Sequence, residues 1–426
     1  MLKELVQNAD DACATGSYSH PPPSNTRPSC AKPILLFGRP QPLIYSPRCS
    51  PHLNLPVTSW SHTAVVKLCY DQRHHDASPD RLLYPGLAEF QGPALLAHND
   101  ALFSEEDFIS ITRIGDSGKE GKRAKVGRFG VGFNSVYHLT DLPSFVSGEH
   151  LVLFDPHLRH LRSSAGCEPG RRIKFTHKQA KTLLKGHPSS FSPYEIFDCA
   201  IPRPYSGTLF RFPLRTAKQA GASEVSSASY SDADVVKIIE LFQAEAPNLL
   251  LFLRHVERIE TYVWRRGANS PELVSSAHIR NICKKLREER ALMSRLPTKG
   301  KSLPNSCLLR VTIHSSVDAQ DTDWVIAQGF GLAHSKDLAE SADMRQLGLT
   351  LLPWGGVACR LDPSQAPSPV EGQAFVFLPL PVRTGLPLHV NGFFEVSENR
   401  RDIWFGSDMQ GAGKARSGMC MPRLQI

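Results

Sequence analysis

The first twelve residues repeat apolar side chains at the spacing of an α-helix. Spacings of three and four residues bring side chains onto one face of a helix. The pattern therefore predicts an amphipathic helix with one buried stripe. Glu4, Asn8 and Asp11 recur at the same spacing and share a second, polar face. The apolar stripe consists of Leu2, Leu5, Val6, Ala9 and Ala12.

Short apolar segments further along the chain predict the strands of a sheet. Segment 65–70 is apolar except for one lysine, and segment 207–213 alternates apolar and polar residues, as a half-buried strand does. A helix is predicted over 233–244, with Asp232 as its N-cap because a carboxylate there accepts backbone N–H bonds. Other strands are predicted within 92–103, 147–155, 373–379 and 388–397, and a helix start at 104–107.

Three glycines, Gly127, Gly130 and Gly132, have the spacing G-x-x-G-x-G and lead directly into the predicted first turns of a helix at 133–137. Backbone N–H groups approach an anion closely where no side chain intervenes, and a helix N-terminus adds a partial positive charge. Taken alone, the glycine spacing is also compatible with an ordinary loop before a helix. It favours a phosphate cradle only together with other sequence motifs. The glycine-rich polar segment 115–125 before it predicts a mobile lid.

Two interpretations of the polar face at Glu4, Asn8 and Asp11 remain open from these residues alone. A carboxylate, a carboxamide and a carboxylate in one row can hold a water, a magnesium ion and a nucleotide. The alternative is a solvated helix face.

The two stretches together resemble a known group of ATPases. Segment 4–12 (ELVQNADDA), followed later by 127–135 (GRFGVGFNS), is similar to the ATP site shared by gyrase, the ninety-kilodalton heat-shock chaperone, histidine kinases and MutL. A closer sequence resemblance is to the repeated regions of sacsin. With the 16–64 insertion set aside, this resemblance covers most of the chain. It is found at 92–96 (GPALL), 103–107 (FSEED), 125–141 (KVGRFGVGFNSVYHLTD) and 399–404 (NRRDIW).

The resemblance implies binding of ATP and Mg²⁺, with slow hydrolysis that drives lid and domain closure. It makes Glu4 the general base, Asn8 a ligand of Mg²⁺, and Asp11 a support for the nucleotide side of the helix. Arg400 would reach the γ-phosphate. An exposed arginine that contacts solvent or a domain interface is the other interpretation of that residue. The backbone N–H groups implied for the phosphates belong to Gly127, Gly130, Val131, Gly132 and Phe133.

The adenine contact departs from the pattern of the wider ATPase group. In that group an Asp accepts a hydrogen bond from the adenine amino group. An alignment without gaps places His98 of this chain at the position of that Asp. Asp100 or Asn99 offers an acceptor in its place if the backbone shifts. Thr208, at the start of a predicted strand, would place its hydroxyl near the adenine, although threonine is also common at strand starts.

The implied fold is an α/β (α+β) two-layer sandwich, in which helices cover one face of a mixed sheet. This is the Bergerat-type ATP-binding fold, here followed by a second α/β domain. The predicted boundaries are 1–215 for the ATPase-like domain, 216–270 for a linker with helices, and 271–426 for a second domain that is truncated at its C-terminus. Residues 16–64 interrupt the first domain with ten prolines and no acidic residue. They are interpreted either as a disordered surface loop or as a translated intron in an imperfect gene model.

Composition changes this picture only a little. The chain of 426 residues has a net charge of +8, and four of those positive charges lie in the acid-free segment 16–64. No basic stripe with interleaved aromatics is present, so we expect no nucleic-acid partner. No apolar run reaches the length that spans a bilayer, and no signal peptide is expected. The ten scattered cysteines contain no C-x-x-C pair and favour reduced thiols in the cytoplasm.

Client proteins and co-chaperones, including a seventy-kilodalton heat-shock chaperone system, are the partners implied by the resemblance. The rival interpretation is a catalytically inactive scaffold that retains the fold for protein interaction. A histidine kinase would need a phosphoacceptor histidine on a dimerising helix, and no convincing one is found. The oligomeric state is left open.

Overall fold

The N-terminal helix, α1 (Leu2–Gly16), forms as its apolar spacing predicts, and it buries Leu2, Leu5, Val6 and Ala9. The predicted strand at 65–70 is β1 (Ala64–Asp71). The computed structural model describes residues 1–16, 64–111, 133–163, 166–177, 180–292, 306–330, 354–361 and 370–392, with the single positions 394, 396 and 403. The segment 17–63, which makes up nearly all of the predicted insertion, lies outside the described residues.

The remaining described elements are α-helices, short 3₁₀ helices and strands. The other helices are α2 (Glu105–Ile111), α3 (Ala180–Gly186), α4 (Ala217–Ala222), α5 (Asp232–Leu249) and α6 (Lys284–Leu292). Short 3₁₀ helices span Pro79–Arg81, Pro85–Phe90, Phe133–His138, Pro188–Ser190 and Ser192–Tyr194. The strands that follow β1 are β2 (Ala94–Asn99), β3 (Ser144–Gly148), β4 (His150–Phe154), β5 (Arg162–Ser163), β6 (Gly166–Cys167), β7 (Gly170–Lys174), β8 (Tyr205–Pro213), β9 (Val256–Trp264), β10 (Glu272–Ile279), β11 (Ser306–Ser315), β12 (Gln320–Phe330), β13 (Trp354–Arg360), β14 (Gln373–Val376), β15 (Leu378–Arg383) and β16 (His389–Gly392).

Fourteen strands of the described part of the chain form one mixed sheet. Their order is β15-β14-β16-β13-β12-β11-β10-β9-β1-β2-β8-β3-β4-β7, while β5 and β6 pair separately. The pairs β1–β9 and β14–β16 are parallel, and the other neighbours are antiparallel. The parallel pair at the centre joins the N-terminal strands to the C-terminal ones.

One face of the sheet, here called the helical face, carries the long helices. Leu95 and Ala97 of β2 point to this face and share a core with Val6 of α1, Ile239 of α5 and Leu286 of α6. Because side chains of a strand alternate, the intervening Leu96 lies in a second core on the opposite face. The position of α1 on the helical face is therefore fixed by the apolar stripe predicted from its sequence.

The opposite face of the sheet is covered as well. The sequence analysis predicted helices on one face only, so this second layer is an addition to the predicted arrangement. Leu87 and Phe90, from a 3₁₀ helix, and Phe191 and Tyr194, from a second short helical segment, pack there. Several central strands are thus buried on both faces. The short proline-containing helices of this layer give no long apolar period, so the sequence pattern did not reveal them.

The mixed α/β class is confirmed, with one large mixed sheet and several helices. The Bergerat-type arrangement and the division into two domains stay predictions. The predicted N-cap of α5 is wrong. Ser231 is the N-cap, and its hydroxyl accepts from the Asp234 backbone N–H, while Asp232 accepts from the Tyr70 hydroxyl.

Among the described residues, no helix combines the length and the apolarity that a membrane crossing needs.

Candidate functional site

Glu4 and Asn8 lie one helical turn apart on α1 and are both partly exposed, whereas the apolar residues from Leu2 to Ala9 are buried. Their side chains offer a carboxylate and a carboxamide oxygen. Magnesium prefers such hard oxygen ligands, usually one or two from the protein with waters and phosphates completing the shell. The donor set on this face of α1 is therefore compatible with Mg²⁺ bound to a nucleotide.

Asp10, which the sequence pattern did not single out, fixes α1 to the start of β9. Its Oδ1 accepts from the backbone N–H groups of Arg254 at 2.9 Å, His255 at 2.6 Å and Val256 at 3.0 Å. Burial alone would raise the pKa of this carboxyl. The Arg254 guanidinium, the His255 imidazole and the backbone N–H donors outweigh burial and hold the pKa of Asp10 below its usual value.

Asp11 is buried and accepts from Arg254 Nη2 at 2.5 Å. The guanidinium of Arg254 thus binds two adjacent carboxylates, since its Nε also lies 3.3 Å from Asp10 Oδ2. Any support that Asp11 gives to a nucleotide site acts through the placement of α1. Asp11 was selected from the sequence as part of a polar row, but its long-range partner, 243 positions later in the chain, was not visible there.

Three polar side chains form a row across β2, β8 and β3 on the helical face, here called the polar row: Asn99, Thr208 and Ser147. Thr208 pairs in register with Asn99 on one side and with Ser147 on the other. The next set of paired residues on the same face, two positions away along each strand, is hydrophobic and consists of Phe210 between Ala97 and Phe145. The polar row thus lies where the core of the helical face ends.

The segment that follows β2 covers part of the polar row. The Thr208 hydroxyl donates to the Ala101 carbonyl at 2.7 Å and lies 2.8 Å from Ser147 Oγ. Ser147 Oγ in turn accepts from the Phe103 backbone N–H at 3.0 Å. Thr208 is fully buried. Its hydroxyl is committed to these protein contacts, so a direct contact with a base requires the 101–103 segment to move.

His98, which an alignment without gaps places at the base contact, lies on the face of the sheet opposite to the polar row. It is the neighbour of Asn99 on β2 and therefore points to the opposite face. There its Nδ1 lies 2.6 Å from the Tyr205 hydroxyl and its ring contacts Phe197. Burial and the nearby Lys67 ammonium lower the pKa of His98 to about 4, so its imidazole is neutral near pH 7.

Phe133, the last residue of the predicted phosphate cradle, begins the 3₁₀ helix Phe133–His138 on the helical face. Its ring contacts those of Phe154 and Phe210. The other end of this helix is held by Arg215, whose Nη2 donates to the Tyr137 carbonyl and to Asp141 Oδ1, both at 2.6 Å. Sequence reasoning missed Arg215, which is fully buried and lies two residues beyond the end of β8.

The structure brings α1, the polar row and Phe133 to the helical face around one core. Asp100, partly exposed, follows β2 directly. Gly127, Gly130, Val131, Gly132 and Arg400 lie outside the described residues. Within the part of the chain that the structure describes, no group of three or more His, Cys, Asp or Glu side chains is placed to hold a metal ion.

Comparison with known proteins gives two matches. A family model described as the sacsin domain matches residues 61–276. Human sacsin is 30% identical to this chain over 405 residues, a region that takes in 78% of the chain but only 9% of the human protein. The chain therefore spans a small part of the length of this relative.

Proposed function

The chain belongs to the sacsin family, and on that premise we propose that it is a chaperone-type module with a Bergerat-type ATPase fold that binds Mg·ATP. One observation carries the proposal. The helix with Glu4 and Asn8, the polar row and the 3₁₀ helix after the glycine loop surround one core on the same face of the sheet. The three parts of the sequence that resemble an ATP site therefore pack around one core, and this supports the proposal.

Each residue of this surface has a distinct role in the proposal. Asn8 would hold Mg²⁺ through its carboxamide oxygen, and Glu4 would orient a water and accept its proton. When bound, Mg²⁺ would neutralise phosphate charge. The backbone N–H groups of Gly127, Gly130, Val131, Gly132 and Phe133 would bind the phosphates, and Arg400 would offset the charge that develops at the γ-phosphate.

The proposed cycle joins slow hydrolysis to closure of the segment around the glycine loop and to movement of a second α/β domain. Client proteins and co-chaperones in the cytoplasm, including a seventy-kilodalton heat-shock chaperone system, would respond to the closed state. The family membership supports this part of the proposal.

Calorimetric titration with Mg·ATP, followed by measurement of phosphate release, tests the proposal. Removal of a general base lowers a rate by about 100-fold or more, so Glu4→Ala should abolish most turnover while binding persists. Glu240→Ala is the matched control, because Glu240 is an exposed acid on α5. Equal turnover by both variants, or no nucleotide binding by the folded chain, contradicts the proposal.

An inactive interaction scaffold is the second candidate function. It is favoured by the polar row, because the Thr208 hydroxyl is satisfied by Ala101 and Ser147 without a ligand. A scaffold would show neither Mg·ATP binding nor any response of its partner binding to Glu4→Ala.

A further inference from the structure

A small cavity lies within the core of the opposite face, between the strands and the 3₁₀ helices that cover them. Its volume is about 10 Å³, which is room for one particle about the size of a water molecule. Leucine, phenylalanine and proline side chains form most of its wall. The polar residues that line it are Gln91, Ser144, Ser190, Tyr194 and Arg211.

Arg211 of β8 brings a buried positive charge to this cavity. The residue is only 3% exposed. Its Nη1 donates to the Phe90 carbonyl at 2.9 Å and its Nη2 to the Gly92 carbonyl at 3.1 Å, whereas its Nε has no hydrogen-bond partner among the described residues. Burial lowers the pKa of Arg211, but a guanidinium still keeps its proton near pH 7.

A second buried arginine, Arg215, has the counter-charge that Arg211 lacks. Its Nη2 and Nε both donate to Asp141 Oδ1, at 2.6 and 3.0 Å. In the described part of the chain no carboxylate forms an ion pair with Arg211. Asp71 is the acid whose charge acts on it, but the oxygens of Asp71 already accept from Arg73. An isolated charge in a protein interior is costly unless it is paired, so Arg211 calls for an anion.

Ser190 offers a second donor to the same cavity. Its Oγ accepts from the Leu83 backbone N–H at 2.8 Å, so its own hydrogen remains to donate. The hydrogens of the other two hydroxyls are already used, since Tyr194 donates to Ser144 Oγ at 2.6 Å and Ser144 donates to the Arg211 carbonyl at 3.3 Å. The cavity thus combines a charged donor with a neutral one.

We propose that this cavity binds one monatomic anion, such as chloride, held by Arg211 Nε and the Ser190 hydroxyl. The anion offsets the charge of the guanidinium and ties the 3₁₀ helices to β8. Phosphate and sulfate are larger than the single water-sized particle that fits. The site lies on the face of the sheet opposite to the proposed nucleotide site and does not depend on it.

A water molecule is the competing occupant. Gln91 also lines the cavity, and its Nε2 donates to the Leu87 carbonyl at 3.4 Å while its Oε1 has no partner among the described residues. A water could accept from Arg211 Nε and donate to Gln91 Oε1, but it would leave the buried charge without a counter-charge. The two occupants differ in their response to the anion of the buffer.

Thermal unfolding of the full chain in sodium chloride, sodium bromide and sodium gluconate at one ionic strength tests the proposal. A ligand that binds only the folded state stabilises it by an amount that rises with the logarithm of its concentration. The melting temperature should therefore rise by about 1 to 3 °C for each tenfold increase in chloride or bromide that replaces gluconate.

Arg211→Met removes the charge but keeps a long side chain, and the difference between halide and gluconate should disappear. Arg258→Met is the matched control. Arg258 lies on the same face, in β9, but is partly exposed and pairs with Glu260, so the halide response should remain. A general effect of salt on stability would be common to both variants.

The place of the anion is tested on the unchanged protein, which keeps the proposal testable if Arg211→Met does not fold. Crystals grown in bromide should show an anomalous peak within hydrogen-bonding distance of Arg211 Nε. Density there without an anomalous signal identifies a water and overturns the proposal. Equal stability in halide and gluconate, or a halide response that survives Arg211→Met, overturns it as well.

Discussion

Asp10 holds α1 against the sheet through three consecutive backbone N–H groups at the start of β9. The same carboxylate lies beside the guanidinium of Arg254, which also binds Asp11 and lies 5.3 Å from the centre of the Phe377 ring. Every polar contact of Glu4 and Asn8 with a ligand depends on where this helix sits. Asp10, which is buried, thus positions Glu4 and Asn8, the residues that would contact a ligand.

Asp10→Ala should lower the free energy of unfolding by about 3 kcal/mol, because it leaves three buried backbone donors without their acceptor and the buried Arg254 with only one of its two carboxylates. Chemical denaturation measures the change. Lys3→Ala is the control on the same helix. It removes a partly exposed pair with Glu245, and such pairs contribute about 1 kcal/mol or less. A loss for Asp10→Ala no larger than that of the control would contradict the anchoring role.

The lowered pKa of Asp10 gives this contribution a pH dependence. Below the unfolded value near pH 4 the unfolded chain binds more protons than the folded one, so the stability from Asp10 is lost as pH falls further. Above that value the contribution is complete. The difference in stability between the unchanged chain and Asp10→Ala should therefore be constant near neutral pH and shrink below about pH 4.

At the scale of elements, the polar row depends on how closely β8 approaches β2. Gly207, which precedes Thr208, has no side chain, and a Cβ atom there would lie 2.4 Å from the Asn99 carbonyl oxygen and 2.9 Å from His98 Cε1. Backbone atoms cannot yield as the end of a flexible side chain does. Glycine at 207 is therefore what permits Asn99 and Thr208 to stand side by side.

Gly207→Ala should destabilise the chain by about 2 to 3 kcal/mol, since overpacking between paired strands forces the backbone apart. Thermal unfolding followed by circular dichroism measures it. Gly221→Ala is the matched control, because a Cβ at this position of α4 meets nothing within 4 Å. Alanine favours a helix over glycine, so the control should be neutral or stabilising by up to about 1 kcal/mol. Similar effects of both substitutions would contradict the close packing of β2 and β8.

Elements with a clean period were predictable from the sequence. The stripe of α1 and the helix that became α5 formed near their predicted positions. The strand predicted over 207–213 formed as β8, but it is buried on both faces rather than half-buried. The strands β9 to β13 were not predicted. In β11 the exposed Leu308 stands next to the buried Leu309, and in β10 Leu273 and Val274 are both exposed, so apolar residues appear on both faces and obscure the alternation.

The candidate site was predictable only in part for a different reason. Glu4, Asn8 and Thr208 could be selected because each belongs to a local pattern of residue types. Asp10, Arg254 and Arg215 act through partners distant in sequence, which no local pattern contains. The face on which His98 lies could not be read from the sequence, because the position where β2 faces the helices is set by register, and a shift of one residue exchanges the two faces.

At the scale of the whole molecule, β9 connects the two halves of the chain. It pairs with β1 in parallel along the full length of β1, and with β10 on its other side. The core of the helical face is also continuous, from Leu5 of α1 to Leu378 at the start of β15. This arrangement joins residues on either side of the boundary that the sequence suggested at position 271.

The described part of the chain should consequently unfold in one cooperative step rather than as two domains. Hydrogen exchange with mass spectrometry in rising urea measures this, because peptides from β2 and β8 report on one half of the sheet and peptides from β11 and β12 on the other. Both sets should lose protection at the same urea concentration, since β9 cannot leave one half without exposing the edge of the other. Asp10→Ala should move both transitions together to lower urea, whereas Gly221→Ala should move neither downward. Protection that persists in β2 and β8 after β11 and β12 have exchanged would instead establish two separately stable domains, with their boundary near residue 271.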